Sequence, residues 1–202
     1  MGTITESFGQ LDFFAAGLFL FFWLCFEYII DHSVWRHKSL TGLIAHQRRE
    51  WMLEVVGRDV RIADMAILTG QMNGATFFSS AAILATGGCF ALLGATDEVI
   101  QVFRDLELSQ QIQRSAWEIK TLGLTFIFVY SFFKFAWSYR LFNYCAVMVG
   151  AIRRASEENA ATCREQAIRA AEMNILAARH FTAGVRAIFF AFAYLGWLIG
   201  PK

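Results

Sequence analysis

Charged and polar residues set inside long apolar runs are the places where this sequence could do chemistry. Lys134, Arg140 and Asn143 interrupt one run, Glu27 and Asp31 close another, Arg186 opens a third, and Ser79 and Ser80 lie within a fourth. A charge at the centre of a membrane helix costs at least about 2.5 to 3.5 kcal/mol, so such residues face a partner, a wet cavity or a ligand. Lys134, Arg140 and Arg186 would attract an anion, while Glu27, Asn143, Ser79 and Ser80 would orient it. The expected ligand is an anionic small solute or a lipid headgroup, and transport built around the same site is the stronger form of that expectation. Glu27 and Asp31 share a helix face at i and i+4, so pairing of these acids with the bases of the third run is the structural alternative, along with side chains that reach for the interface.

Other chemistries find little support. His32, His37, His46 and His180 show neither the H-E-x-x-H spacing nor the Glu-x-x-His repeat of di-iron bundles. His46, Glu50 and Glu54 share a helix face, but the arginines beside them mark a solvated surface, and Asp31-His32 alone is weakly specific. Cys25, Cys89, Cys145 and Cys163 form no C-x-x-C pair, and buried thiols behave as small hydrophobes. No nucleophile elbow, phosphate-cradling glycine loop or redox motif occurs. No metal and no cofactor is therefore expected, and an enzyme is the third reading. With 18 Lys and Arg against 17 Asp and Glu, no basic surface for nucleic acid is implied.

The elements that would position these residues are membrane helices. Apolar residues make up 56% of the chain and Phe occurs 21 times, more than a soluble domain of this size could cover with one polar face per helix. Four blocks, 11–30, 75–95, 121–150 and 183–200, approach or exceed the roughly 20 residues that cross a ~30 Å hydrocarbon core. No Lys or Arg precedes the first block and no small-residue cleavage site follows it, so a retained span is expected there. The second block is rich in small residues, which permit close helix approach, and is expected to be central. Polar connections fall at 31–74, 96–120 and 151–182. Leu40, Leu43, Ile44, Trp51, Met52, Val55 and Val56 recur at helical spacing opposite His46, Arg49, Glu50 and Glu54, an amphipathic helix ending at Gly57. A short charged helix is expected over 58–64, a helix capped by Thr96 with Asp97 and Glu98 in its first turn, and a solvated helical extension over 153–179.

Orientation follows from the basic residues outside the spans. Arg36, Lys38, Arg48, Arg49, Arg58, Arg61, Arg153, Arg154, Arg164, Arg169 and Arg179 fall in the first and third connections, against Arg104, Arg114, Lys120 and Lys202 elsewhere. Eleven against four places the first and third connections in the cytoplasm and both termini outside a bacterial inner membrane. The polar residues of the spans then cluster in their cytoplasmic halves, with Lys134 nearest mid-membrane.

The stretches Arg49-x-Trp51, Arg58-Asp59-x-Arg61-Ile62-x-Asp64, Phe77-Phe78-Ser79-Ser80, Phe133-Lys134-Phe135-x-Trp137-Ser138-Tyr139-Arg140-x-Phe142-Asn143-Tyr144, and Asn174 with Ala178-Arg179-His180-Phe181 resemble the bacterial and plant membrane proteins grouped as domain of unknown function 599. The similarity runs from about Leu11 to Pro201, and it implies a small multi-span membrane protein without an established activity. The expected fold is all-α: one polytopic integral membrane domain over 1–202, an antiparallel four-helix bundle with amphipathic helices at the interface. Membrane lipids are the expected partners, with a homo-oligomer or a second membrane protein as further candidates. The chief alternative function is a non-catalytic scaffold or accessory subunit, whose contact surface would be the Phe-rich faces of the first and last spans.

Overall fold

The computed structural model describes residues 10–32, 40–105, 113–156 and 158–199, with the side chains of 10, 11, 24, 27–32, 40 and 199 outside that description. The described residues form six α-helices and no strand: α1 Gln10–His32, α2 Leu40–Val56, α3 Ile62–Gly94, α4 Thr96–Asp105, α5 Arg114–Ala151 and α6 Ala160–Ile199. Three stretches, Ile62–Gly94, Arg114–Ala151 and Ala160–Leu198, are long and apolar enough to cross a membrane, and the chain is a membrane protein on that ground. In α1 the apolar stretch resolved in this way is the shorter Asp12–Trp23.

The core of the molecule is the α5–α6 pair. Ser131 Oγ donates to the Gly184 carbonyl at 2.9 Å, Ser138 Oγ to the Ala177 carbonyl at 2.8 Å, and Cys145 Sγ to the Ala170 carbonyl at 3.4 Å. Donors and acceptors each recur every seven residues in opposite directions, which is the antiparallel register of a coiled-coil-like seam. Small side chains make the approach possible: Ala167, Ala170, Ala171, Ala177, Ala187 and Ala191 of α6 are all buried. Backbones drawn this close gain dispersion and inter-helix hydrogen bonds, the terms that hold helices together where lipid supplies no hydrophobic drive. Gly184 is part of this fit, since a Cβ built there would stand 2.8 Å from the Phe135 ring.

Helices α5 and α6 contain 38 and 40 residues, about 57 and 60 Å of rise, or nearly twice the ~30 Å hydrocarbon thickness. Helix α2 packs against one end of this pair. There the seam changes character, with Met52, Val55, Leu68, Cys145, Val149, Ala170 and Ala171 forming one buried cluster. At the opposite end Cys89, Ile100, Trp117, Leu124, Ile127 and Tyr194 form another.

Four expectations change. The segment expected as a charged helix over 58–64 is a bend, and α3 starts at Ile62 and runs unbroken to Gly94, because Arg58 and Arg61 turn their side chains inward to partners described below. The 153–179 stretch is not solvated all round: Cys163, Ala167, Ala170, Ala171, Asn174 and Ala177 are buried along one face of α6. Helix α3 lies to one side, packed on α5, with 11% of its spanning window buried against 39% for α5; Ala75, Ala82 and Cys89 are buried at that contact face, while Gly87 and Gly88 meet nothing. Thr96 begins α4, yet its hydroxyl donates backward to the Leu93 carbonyl at 2.9 Å, satisfying the end of α3 and capping no first turn of its own.

Candidate functional site

Three polar assemblies are built into the described residues. The first joins α2 to α3. Asp64 is fully buried one turn into α3, and its Oδ1 accepts from Trp51 Nε1 at 2.8 Å and from Arg58 Nη1 at 2.5 Å. Arg61, beside it, donates to the carbonyls of Val149 and Ile152 at 3.0 and 2.7 Å, satisfying orphan acceptors at the C-terminus of α5. Arg154 meets Asp59 at 3.0 Å. The Arg58 to Asp64 stretch is thus an intramolecular clasp.

The second assembly crosses four helices. Asn174, fully buried in the alanine-rich face of α6, accepts a hydrogen bond from Arg48 Nη1 and donates from Nδ2 to Gln71 Oε1 at 2.9 Å and to Cys145 Sγ at 3.7 Å. Burial lowers the pKa of Arg48 from its ordinary value, and the Cys145 sulfur opposes that shift. A cavity of about 250 Å³ opens beside Arg48 between α2 and α6, with Thr41, Ile44, Ile175, Arg179 and Thr182 in its walls.

The third assembly lies at the opposite end. Lys120 Nζ pairs with Asp12 Oδ1 at 2.8 Å, both nearly buried, and donates to the Trp197 carbonyl at 3.3 Å. Trp197 Nε1 returns a bond to Asp12 Oδ1 at 3.0 Å. The pair ties α1 to α5 and α6 beside a larger apolar cavity of about 490 Å³, walled by Phe19, Trp23, Phe126, Tyr130, Tyr194 and Trp197.

The seven residues singled out from sequence are distributed differently. Lys134 is half-buried on α5, its Nζ 5.1 Å from the centre of the Tyr130 ring. Arg186 is half-buried on α6, and its Nε is buried with no hydrogen-bond partner among the described residues. Neither has a carboxylate within ion-pair distance among the described residues. Arg140 is exposed and engaged, its Nε donating to Tyr144 Oη at 2.6 Å and its guanidinium lying 5.4 Å from the Trp137 and Tyr144 rings. Asn143 and Ser80 are exposed and Ser79 is half-buried. The Glu27 and Asp31 side chains lie outside the described residues. No hydrogen bond or ion pair among the described residues joins any two of the seven, and none of the six with described side chains lines either cavity.

The sequence reading passed over Arg48, Asp12 and Lys120, whose partners lie on distant helices. Asn174 carried a signal, being an amide in an otherwise alanine face at core spacing. Among the described residues no group of three His, Cys, Asp or Glu could hold a metal ion.

The family described as "Protein of unknown function, DUF599" matches residues 14–202. No curated protein matches, and no solved structure does.

Proposed function

The chain belongs to the DUF599 family, and from that premise we propose that it is a four-span membrane protein that binds an anionic small solute or lipid headgroup at cations held inside its spans. The observation that carries this reading is the pair Lys134 and Arg186, both half-buried in apolar helices with no carboxylate partner among the described residues. A buried charge without compensation is expensive, and a ligand that supplies the negative charge removes the cost. In this reading Arg140 and Asn143 serve at the entrance, and Glu27, Ser79 and Ser80 orient the ligand.

Several features support the topology. Helix α1 has 23 residues, about 35 Å of rise, and Phe19 and Trp23 anchor it edge-on to Tyr194 and stacked on Phe190. Its other face exposes Phe13, Phe14, Phe21 and Phe22, which suits lipid. The eleven-to-four basic count directs the α2 end to the cytoplasm and both termini outward, in a bacterial inner membrane.

The test is a thermal-shift screen of anionic metabolites and short-chain lipids on the purified protein, since a ligand selective for the folded state raises its stability. A stabilising anion whose effect disappears in the Lys134→Met/Arg186→Met variant fits the proposal; a screen in which no stabilising anion loses its effect in that variant refutes it. The second reading, a scaffold or accessory subunit of a membrane complex, draws on the exposed phenylalanines of α1 together with Phe189 and Phe192 of α6. It gains if nothing shifts the transition while a partner protein co-purifies in fixed proportion.

A further inference from the structure

We propose that the cavity between α2 and α6 is a second anion site, separate from the Lys134 and Arg186 pair, that holds a phosphate group between the guanidinium groups of Arg48 and Arg179. The argument begins with charge. Arg49, the neighbour of Arg48, is neutralised by Glu172 at 2.6 Å, whereas neither Arg48 nor Arg179 meets a carboxylate among the described residues. Among the described residues the cavity walls contain these two cations and no acid. Arg48 is only partly exposed, so its charge acts in a medium less polar than water, where an arriving anion is attracted more strongly.

The site is also held in place. The side chain of Arg48 is fixed by Asn174, which is itself fixed by Gln71 at 2.9 Å and is fully buried. One of the five guanidinium N–H donors is spent on that bond, and the rest remain for a ligand. Arg179 is exposed, and Thr41 lies in the same cavity wall. Paired guanidinium forks suit the geometry of a phosphate, which two forks can clasp from opposite sides. At about 250 Å³ the cavity falls below the roughly 300 to 1,000 Å³ of drug-sized pockets, so it suits a headgroup or a small phosphomonoester, not a nucleotide. Exposed Leu43 and Ile44 on α2, the latter in the cavity wall, give acyl chains a surface to follow if the phosphate belongs to a lipid. Arg186 lies seven residues beyond Arg179 on the same face of α6, which sets the two sites in line along one helix.

The experiment titrates the full chain in neutral detergent with inorganic phosphate, with glycerol 3-phosphate and with short-chain phosphatidic acid, followed by calorimetry. Saturable binding of at least one probe is expected, weakened tenfold or more in Arg179→Gln, an exposed position where folding is not at stake, and retained in Lys134→Met/Arg186→Met. Arg48→Lys keeps the charge but loses the fork, and weaker binding with an unchanged melting temperature is the result expected there. Phosphatidic acid bound far more tightly than the soluble probes assigns the phosphate to a lipid; equal affinities assign it to a soluble anion. The proposal is overturned if no probe binds, if Arg179→Gln binds as well as the parent, or if the Lys134→Met/Arg186→Met variant alone abolishes binding.

Discussion

Removing Arg58 should cost more than neutralising its buried partner Asp64. The Asp64 carboxylate is fully buried with two donors on Oδ1 and, among the described residues, none on Oδ2, whereas the Arg58 side chain is 44% exposed. Arg58→Met strands the carboxylate with one indole N–H. Breaking a buried pair from one side costs about 3 to 5 kcal/mol, and the half-exposed arginine places this case at the lower end, near ~3 kcal/mol. Asp64→Asn keeps an oxygen for Trp51 and Arg58 and loses only the charge assistance, about 1 kcal/mol, because the guanidinium can turn to water. In the double variant a neutral amide faces a methionine, and about 2 kcal/mol should return as coupling energy. Equilibrium unfolding of purified protein in mixed micelles, titrated with denaturing detergent, measures all four corners of the cycle. Equal losses in the two single variants, or strict additivity in the double, would refute the claim that the clasp is organised around a buried carboxylate whose charge Arg58 compensates.

Gly184→Ala should destabilise by about 1 to 3 kcal/mol, as overpacking does, because its Cβ would stand 2.8 Å from the Phe135 ring; adding Phe135→Leu should recover part of the loss in the same unfolding assay. Lys120→Met should cost about 3 kcal/mol by removing the ammonium counter-charge of Asp12 while the Trp197 hydrogen bond stays, with Asp12→Asn restoring much of it, and a neutral Lys120→Met would show that α1 is not held by this pair. For topology, a maleimide that cannot cross the membrane should label Gln101→Cys from outside and spare Ala160→Cys; both positions are exposed, and Cys89, Cys145 and Cys163 are buried. Reversed labelling would turn the molecule over and place Lys134 nearest the opposite leaflet.

What was legible in the sequence was whatever depends on local pattern. Apolar blocks declared three of the spans, and the spacing of Met52 and Val55 against Glu50 and Glu54 declared α2 with its end at Val56. Polar residues whose partners lie far along the chain were legible only as types. Arg58 and Asp64 looked like a charged helix because i to i+6 contacts across a bend have no periodic signature, and Asn174 finds its partners 126 and 103 residues away. The small residues of α3 misled because smallness permits close packing without requiring it, whereas the Ser131, Ser138 and Cys145 heptad identifies the true seam once its direction is known. The cluster expected from Lys134, Arg140, Arg186 and Asn143 rested on depth alone, and depth does not fix the angle around the helix that decides whether a side chain meets a neighbour or lipid.

The central claim is that cations in the spans with no counter-ion among the described residues carry an anionic ligand. Native mass spectrometry of the protein released from its own membrane tests this most directly, comparing the parent chain with Lys134→Met/Arg186→Met. The account predicts a discrete anionic adduct on the parent that is absent from the variant, while the two proteins unfold alike because no described carboxylate is stranded by the change. Identical adducts on both, or a bare parent chain together with a strongly destabilised variant, would contradict it.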